Sequence, residues 1–237
     1  MRMSKSLSLE VGVEGGKRQR SDKGSVRLTE RDVMSLLWIG EQYAIRIDQL
    51  ARLLGRSAGR TLTESTTRAA VARWVRGGFA QTRKVTVREP GFVWLTTKGL
   101  REVGLSFKGW EPSASTASHL YWINQVRLHV EDRHPDFKWV PERALRAGRA
   151  MQTVSDISSH VADGELRTER ATVGIEVELT SKSNPRRQSI MRQLADSYET
   201  VWYFAPPDVL RLLERTSTTL ESVKRDRVRI YPLERVA

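Results

Sequence analysis

The chain contains no cysteine, so neither a disulfide scaffold nor a thiolate metal site is available to it. Long hydrophobic runs are also missing, since no apolar stretch reaches the roughly 18 residues of a membrane span and no signal-peptide core begins the sequence. Neither a glycine-rich phosphate loop nor a His-Glu-x-x-His zinc motif is present. These absences favour a cytoplasmic protein and give no support to nucleotide hydrolysis or zinc protease chemistry.

Positive charge dominates the composition and is concentrated in the first part of the chain. The protein has 40 Lys and Arg against 28 Asp and Glu, a formal net charge of +12. Residues 1 to 110 contain 21 basic and 10 acidic residues, whereas residues 111 to 237 contain 19 and 18. A basic part joined to a nearly neutral one is typical of a protein whose first part contacts a polyanion. Nucleic acid is the favoured polyanion, because no basic amphipathic helix with an aromatic face indicates a membrane surface.

The N-terminal half predicts an arm, three helices and a hairpin. Residues 1 to 27 are rich in Gly, Ser, Lys and Arg and are expected to form a disordered basic arm. Within residues 28 to 106, a capping-box pattern at Thr29 opens a first helix, and two further amphipathic helices follow, the third from Ser65 to Arg76. Residues 79 to 96 then favour two strands around a turn. This order of elements resembles a winged helix-turn-helix.

In a helix-turn-helix protein the recognition helix enters the major groove, with its N-terminal residues nearest the bases. Arg68 is suited to bidentate contacts with guanine, and the hydroxyls beside it are suited to phosphate. The predicted DNA-contacting residues of the third helix and the wing are Ser65, Thr66, Thr67, Arg68, Arg73, Arg76, Arg83, Lys84 and Arg88. The alternative is that these cations only solvate the surface or bind an acidic protein partner.

The C-terminal half predicts a separate domain of mixed helices and strands. Residues 107 to 118, with Pro112 and a run of Ser, Ala and Thr, are the predicted linker to a domain at 119 to 237. A helix is expected from His119 to about Arg133, and strands and helices follow it. The whole chain is therefore expected to be α+β.

The segment from Val173 to Leu179 alternates apolar and acidic side chains, which predicts a strand with Glu176 and Glu178 on its exposed face. A shorter strand-like segment contains Asp156, and Asp163-Gly164 between the two is a strong hairpin-turn signal. Pairing of these strands is expected to bring Asp156 beside the glutamates.

Three carboxylates at one sheet edge, with Lys182 a few residues on, are the parts of a Mg²⁺ site that positions phosphate and activates water. Glu142 is a further candidate acid, or a residue that caps a helix or pairs with Arg143. The alternative for the Glu-x-Glu pair is a solvated strand face.

The order Asp, hairpin, Glu-x-Glu strand, Lys and helix resembles the core of the PD-(D/E)xK nuclease superfamily. More narrowly, residues 118 to 146, 154 to 156, 174 to 183 and 198 to 214 are similar to the C-terminal half of the replication-relaxation family. Members of that family are encoded mostly by plasmids and integrative elements of Gram-positive bacteria. Two positions depart from the nuclease pattern, because Ser155 stands where Pro is usual and Glu178 replaces the motif lysine.

The resemblance implies a winged helix-turn-helix followed by an α/β restriction-endonuclease-like domain. It implies a DNA-binding accessory protein of a plasmid or integrative element, acting on double-stranded DNA in replication, relaxation or mobilisation. Replication or mobilisation proteins and a second copy of the chain are the further partners that it implies, and no organic cofactor is expected. The alternative is an active Mg²⁺-dependent endonuclease or nickase. Asp156, Glu176 and Glu178 would then hold the metal, and Lys182 or Arg186 would stabilise the phosphate.

Overall fold

A computed structural model describes residues 26–150, 160–169 and 171–236 as an α+β fold. Its helices are α1 Glu30–Glu41, α2 Ile47–Gly55, α3 Glu64–Arg76, α4 Thr97–Glu102, α5 Ala114–Arg133, α6 Glu142–Ala150, α7 Asn184–Ser197, α8 Pro207–Ser217 and α9 Ser222–Arg225. Its strands are β1 Ala44–Arg46, β2 Ala80–Arg83, β3 Phe92–Leu95, β4 Lys138–Pro141, β5 Gly164–Arg167, β6 Thr172–Val177, β7 Thr200–Ala205 and β8 Val228–Pro232. The predicted arm (except its last two residues) and Asp156 lie outside the described residues.

The first part of the chain packs α1, α2, α3 and α4 against a small antiparallel sheet of order β1-β3-β2. The helices and the β2–β3 hairpin are those expected from the sequence. Strand β1 was not expected, because it spans three residues that run without a break into α2 and pairs with β3, about fifty residues later in the chain. The core of this part includes Leu36, Ile39, Leu50, Trp74 and Val93, all fully or almost fully buried.

Asp32 links the first and third helices of this part. The capping box is present as predicted, because the Thr29 side chain accepts from the Asp32 N–H while the Asp32 carboxylate accepts from the Thr29 N–H. The same buried carboxylate accepts from Trp74 Nε1 at 2.9 Å and from the Arg73 guanidinium at 2.5 Å. Burial alone would raise the pKa of Asp32, but these hydrogen bonds and the Arg73 charge hold it below its ordinary value.

Replacing Asp32 by Asn is expected to lower the free energy of unfolding by about 2 kcal/mol, because charge-assisted bonds from Trp74 and Arg73 are lost. Since the pKa of Asp32 is lowered, its contribution to stability is present above the ordinary carboxyl range and is lost as the pH falls through the lowered pKa. Urea denaturation at pH 7 and at about pH 3 measures both effects. Asp48→Asn, which alters an exposed ion pair with Arg46, is the matched control. An equal loss in the two variants would contradict the role given to Asp32.

The second part is built on a five-stranded mixed sheet of order β4-β5-β6-β7-β8. Strands β4, β5 and β6 pair antiparallel, and β6, β7 and β8 pair parallel. One face of the sheet packs on α5 through residues that include Val173, Ile175 and Val177. The other face packs on α7 and α8, with Tyr203 of β7 among the buried contacts. Successive residues of β6 therefore face different helices, as the pleat of a strand requires.

The two parts share α5, and the predicted linker is shorter than residues 107 to 118 because α5 begins at Ala114. Gln42 of the first part accepts from Trp139 Nε1 at 3.2 Å and donates to the buried Asn124 of α5 at 3.2 Å. The buried Arg143 donates to the Gly40 carbonyl at 2.6 Å. Among the described residues, no helix is long and apolar enough to cross a membrane.

The prediction that Asp163-Gly164 forms the hairpin turn was wrong. Gly164 is the first residue of β5, and the turn between β5 and β6 lies at Thr168 to Ala171, where the Thr168 N–H donates to the Ala171 carbonyl at 3.0 Å. Gly164 packs under the Trp139 ring at the start of this strand. A Cβ at residue 164 would stand only 2.3 Å from a carbon of that ring. Glycine is therefore needed here for close packing rather than for a turn.

Candidate functional site

Glu176 and Glu178 lie on one side of the chain, as the alternation of β6 predicted, but that side is not exposed. Their relative exposures are 2% and 5%, because α7 and α8 cover this face of the sheet. Glu176 pairs in register with Tyr203 of β7, whose buried hydroxyl has no hydrogen-bond partner among the described residues. A buried pair of carboxylates requires compensating cations or protonation.

Two basic side chains contact the glutamates. His160 Nε2 lies 2.9 Å from Glu176 Oε1. Lys182 bonds directly to the Glu178 carboxylate, and its Nζ also lies 4.0 Å from Glu176 Oε1. The predicted association of Lys182 with the Glu-x-Glu pair is therefore seen in the structure. Arg186, the alternative phosphate-stabilising residue, is exposed near the start of α7.

Asp163 is the acid that the structure brings to this cluster. It immediately precedes β5, and its Oδ2 accepts from the Val177 N–H at 2.7 Å and lies 3.3 Å from His119 Nε2. The Asp163 charge is one of the causes that raise the pKa of Glu176. The sequence pattern predicted a turn at Asp163 and a site acid at Asp156. The observation that places Asp163 near Glu176 is the antiparallel pairing of Gly164 with Ile175, which is known only from the register of the sheet.

Burial and neighbouring charges shift the pKa values of three groups in this cluster. Burial raises the pKa of Glu176 well above its ordinary value, and the charges of Asp163 and Glu178 raise it further, against the opposing effect of Lys182. Burial lowers the pKa of His119, but its hydrogen bond and ion pair with Asp163 outweigh this effect and raise it to about 9. Burial lowers the pKa of His160. The site therefore holds a cationic His119 near neutral pH, and it disfavours the charged form of Glu176.

The described residues do not by themselves form a metal site. Within residues 26–150, 160–169 and 171–236, no three or more His, Cys, Asp or Glu side chains are arranged to hold one ion. Glu178 is instead paired with Lys182, Glu176 is bonded to His160, and Asp163 lies beside His119. The Mg²⁺ prediction depends on Asp156, outside these ranges, and stays a prediction.

A cavity of about 300 Å³ opens beside Asp163 and His119 at the junction of the two parts. Glu142, the further candidate acid, lines this cavity as the first residue of α6 and pairs with Arg146 at 2.5 Å. The expected alternative pairing of Glu142 with Arg143 does not occur, because Arg143 donates to backbone carbonyls. Tyr43 also lines the cavity with a φ of 72°, a left-handed conformation that a bulky residue rarely adopts.

The second candidate site is the exposed side of α3 and the wing. Ser65, Thr66, Arg68 and Arg76 are exposed as predicted. Arg68 pairs with Glu64 at 2.6 Å, an exposed contact of the kind that contributes little to stability and can be exchanged for another partner.

Two predicted DNA-contacting residues of α3 are turned towards the protein. Thr67 is fully buried, and its hydroxyl donates to the Thr63 carbonyl at 2.9 Å, so the prediction that it contacts DNA was wrong. Arg73 is bound to Asp32 and holds α1 against α3. Helical spacing places both residues on the inward side of α3 with Ala70 and Trp74.

The wing residues Lys84 and Arg88 are exposed and have no acidic partner in the part of the chain that the structure describes. Arg83 is exposed too, but it donates to the Pro112 carbonyl at 3.2 Å and lies 3.9 Å from Glu111. The free positive charge of this surface therefore comes from Lys84 and Arg88 of the wing and from Arg76 at the end of α3.

Residues Gly55 to Gly59 spell Gly-x-Ser-x-Gly, so the expectation that the sequence contains no such serine-hydrolase pattern was wrong. In hydrolases of that type the serine lies on a sharp turn between a strand and a helix. Ser57 lies instead in a 3-10 turn at Arg56–Ala58 that directly follows α2. The geometry required of a serine nucleophile is therefore missing here.

Comparisons with protein-family models, curated proteins and solved structures found no match to the chain.

Replacing Glu176 by Gln is expected to raise the free energy of unfolding at pH 8 by about 1 to 2 kcal/mol, because burial and the charges of Asp163 and Glu178 disfavour an ionised side chain here and Gln keeps the shape without the charge. A raised carboxyl pKa stabilises the fold at low pH, and this contribution is lost as the pH rises towards the folded pKa. The gain should therefore disappear near pH 4. Thermal unfolding at both pH values measures it, and the exposed Glu199→Gln is the control. Destabilisation at both pH values would show that the cluster is a structural ion-pair network.

Proposed function

We propose that the chain is a DNA-binding protein that contacts double-stranded DNA through α3 and the β2–β3 wing. The observation that carries the proposal is an exposed stripe along α3, formed by Ser65, Arg68, Ala69, Ala72 and Arg76. These positions recur at helical spacing, and none of them is used to bury the core. Small and hydroxyl side chains together with two arginines suit a helix that lies close to base edges and phosphates.

The fold around α3 supports the same proposal. Helix, short strand, helix, helix and hairpin is the order of elements expected for a winged helix-turn-helix. The capping box at Thr29 and the bonds of Asp32 to Trp74 and Arg73 fix α3 against α1, so that its outer side keeps one orientation. A rigid helix of this kind is the element that DNA-binding proteins use for base contacts.

The expected phosphate contacts are made by Arg76, Lys84 and Arg88. A variant with all three changed to Ala is expected to lose about tenfold or more in affinity for duplex DNA near 0.1 M salt. The log–log salt slope should fall by about 2 to 3, because each phosphate contact contributes roughly 0.9. Fluorescence anisotropy with a labelled duplex over a series of salt concentrations measures both quantities.

A matched control removes the same charge from the second part, through the exposed arginines Arg211, Arg215 and Arg225. This control is expected to keep the salt slope of the unaltered protein. Equal losses in the two triple variants, or no salt-sensitive affinity of the unaltered chain for any duplex, would reject the proposal. Salt-insensitive binding to an acidic protein would instead favour the interaction-module alternative.

The second part of the chain supports an accessory function in DNA processing, carried out by a domain that descends from a nuclease. Its β4–β5–β6 antiparallel strands, followed by α7 and the parallel β7, give the order of elements of a nuclease core. Asp163, just before β5, and Glu176 of β6 are the acids that we assign to such a core. With the resemblance of the sequence to the replication-relaxation family, we propose an accessory function in replication, relaxation or mobilisation of a plasmid or integrative element.

One observation favours a second candidate function, an active endonuclease or nickase. Glu178 stands where the nuclease motif has a lysine, so the motif ammonium group is missing at that position. The Lys182 ammonium contacts both Glu176 and Glu178 and can supply this charge. Within the part of the chain that the structure describes, Asp163 is the acid beside Glu176 to which we assign the role predicted for Asp156. If the second part cuts DNA, the Asp163→Asn and Glu176→Gln variants are expected to lose about a hundredfold or more of the nicking rate on supercoiled plasmid with added Mg²⁺ or Mn²⁺.

The Asp156→Asn variant tests, in the same assay, the acid that the sequence pattern predicted. Retained nicking in Asp156→Asn with loss in Asp163→Asn would assign the role to Asp163. Nicking that is unchanged in all three variants would dismiss these residues as catalytic, and the DNA-binding proposal would stand alone.

A further inference from the structure

A second cavity, of about 360 Å³, lies on the sheet face opposite to the acidic cluster. It is formed where the C-terminal end of α5 crosses β7 and β8. Its walls are four basic or potentially basic residues and three aromatic residues, with one aliphatic contact. They are His129, Val130, Arg133, His134, Trp202, Phe204, Tyr231 and Arg235. Neither the proposed DNA contacts of α3 nor the acidic cluster uses any of these residues.

Aromatic rings form the floor of this cavity. Trp202 and Tyr231 meet edge to face with ring centroids 5.9 Å apart, and Phe204 lies 5.5 Å from Tyr231. Trp202 is only partly buried, so its ring is accessible to a bound molecule. Accessible aromatic rings bind planar groups such as nucleic-acid bases by stacking.

The rim of the cavity is cationic and is not neutralised. Arg235 stacks over the Tyr231 ring at 4.9 Å, and Arg133 donates to the His129 ring at 3.0 Å. Neither guanidinium has a carboxylate partner among the described residues. The adjacent acid of α5, Asp132, is turned away and pairs with Arg52 at 2.5 Å. An anion at this rim would therefore meet two arginines that have no competing acid.

The electrostatics of His129 agree with a positive local potential. Burial is the largest cause that lowers its pKa, and the charges of Arg133, Arg52 and Arg235 lower it further, against the opposing charge of Asp132. The effect of the three arginines on His129 agrees with a local potential that attracts anions. The cavity volume of about 360 Å³ lies at the small end of the range for ligand sites and suits one nucleotide rather than a duplex.

We propose that this cavity binds a single nucleotide unit, with its base on the Trp202 ring and its phosphate between Arg133 and Arg235. The shared chemistry is a planar base that carries a phosphate. Its source is either a free mononucleotide or an unpaired nucleotide of a DNA strand. The proposal does not depend on duplex binding by α3.

The test measures binding of the full chain to dAMP by calorimetry and to a labelled five-nucleotide thymidine strand by anisotropy. The Arg133→Ala and Arg235→Ala double variant is expected to bind both probes about tenfold or more weakly, because two charge-assisted contacts are lost. Both arginines are exposed, so the variant is expected to fold, and its thermal unfolding curve checks this. Trp202→Leu removes the stacking surface and should weaken binding by about fivefold or more.

Two control variants separate this site from the others. Arg225→Ala removes an exposed positive charge outside the cavity and is expected to bind both probes as the unaltered chain does. The triple variant of α3 and the wing should retain nucleotide binding while it loses duplex affinity, so failure of one proposal is distinguishable from failure of the other.

The outcomes also identify the source of the nucleotide. Tighter binding of the strand than of dAMP, with both reduced by the double variant, would assign an unpaired DNA strand. Binding of dAMP alone, with the same reduction, would assign a free mononucleotide. Binding of neither probe, or affinities that the double variant leaves unchanged, would overturn the proposal.

Discussion

The burial of two glutamates at the end of β6 is the constraint on which the second part of the structure depends. Carboxylates at this depth lose hydration, and the loss must be offset by cations or by protonation. Lys182 supplies a cation from the loop before α7, and His160 contributes a hydrogen-bond contact to Glu176 from the segment before β5. The loops on both sides of the strand are thereby fixed around the same pair of side chains.

Such an arrangement is costly for stability, and this cost is an argument for function. A pair of apolar residues at 176 and 178 would pack between the sheet and α7 without charge repulsion. Acids with pKa values shifted by burial and by one another occur most often at sites that bind or react. The adjacent cavity, the strained Tyr43 on its wall and the nearby Asp163 lie at the junction that α5 makes between the two parts.

Local patterns predicted many elements of the fold correctly. The capping box at Thr29 and the alternation of β6 depend on residues that are neighbours in sequence, so their consequences follow from geometry within one element. The prediction of the hairpin turn failed for the opposite reason. Asp-Gly is a turn signal when read alone, but here Gly164 is fixed by the Trp139 ring and by its pairing with Ile175. Neither contact is visible in a short stretch of sequence.

Composition and periodicity were enough to predict the α+β class, the basic character of the first part and the common side of Glu176 and Glu178. The packing of distant segments determined that this side is covered by α7 and α8, that Asp163 joins it, and that Thr67 and Arg73 face inwards. It also decided that α5, β7 and β8 enclose an aromatic cavity with a cationic rim. The physical reason is that burial and the sharing of charge depend on which distant segments pack together.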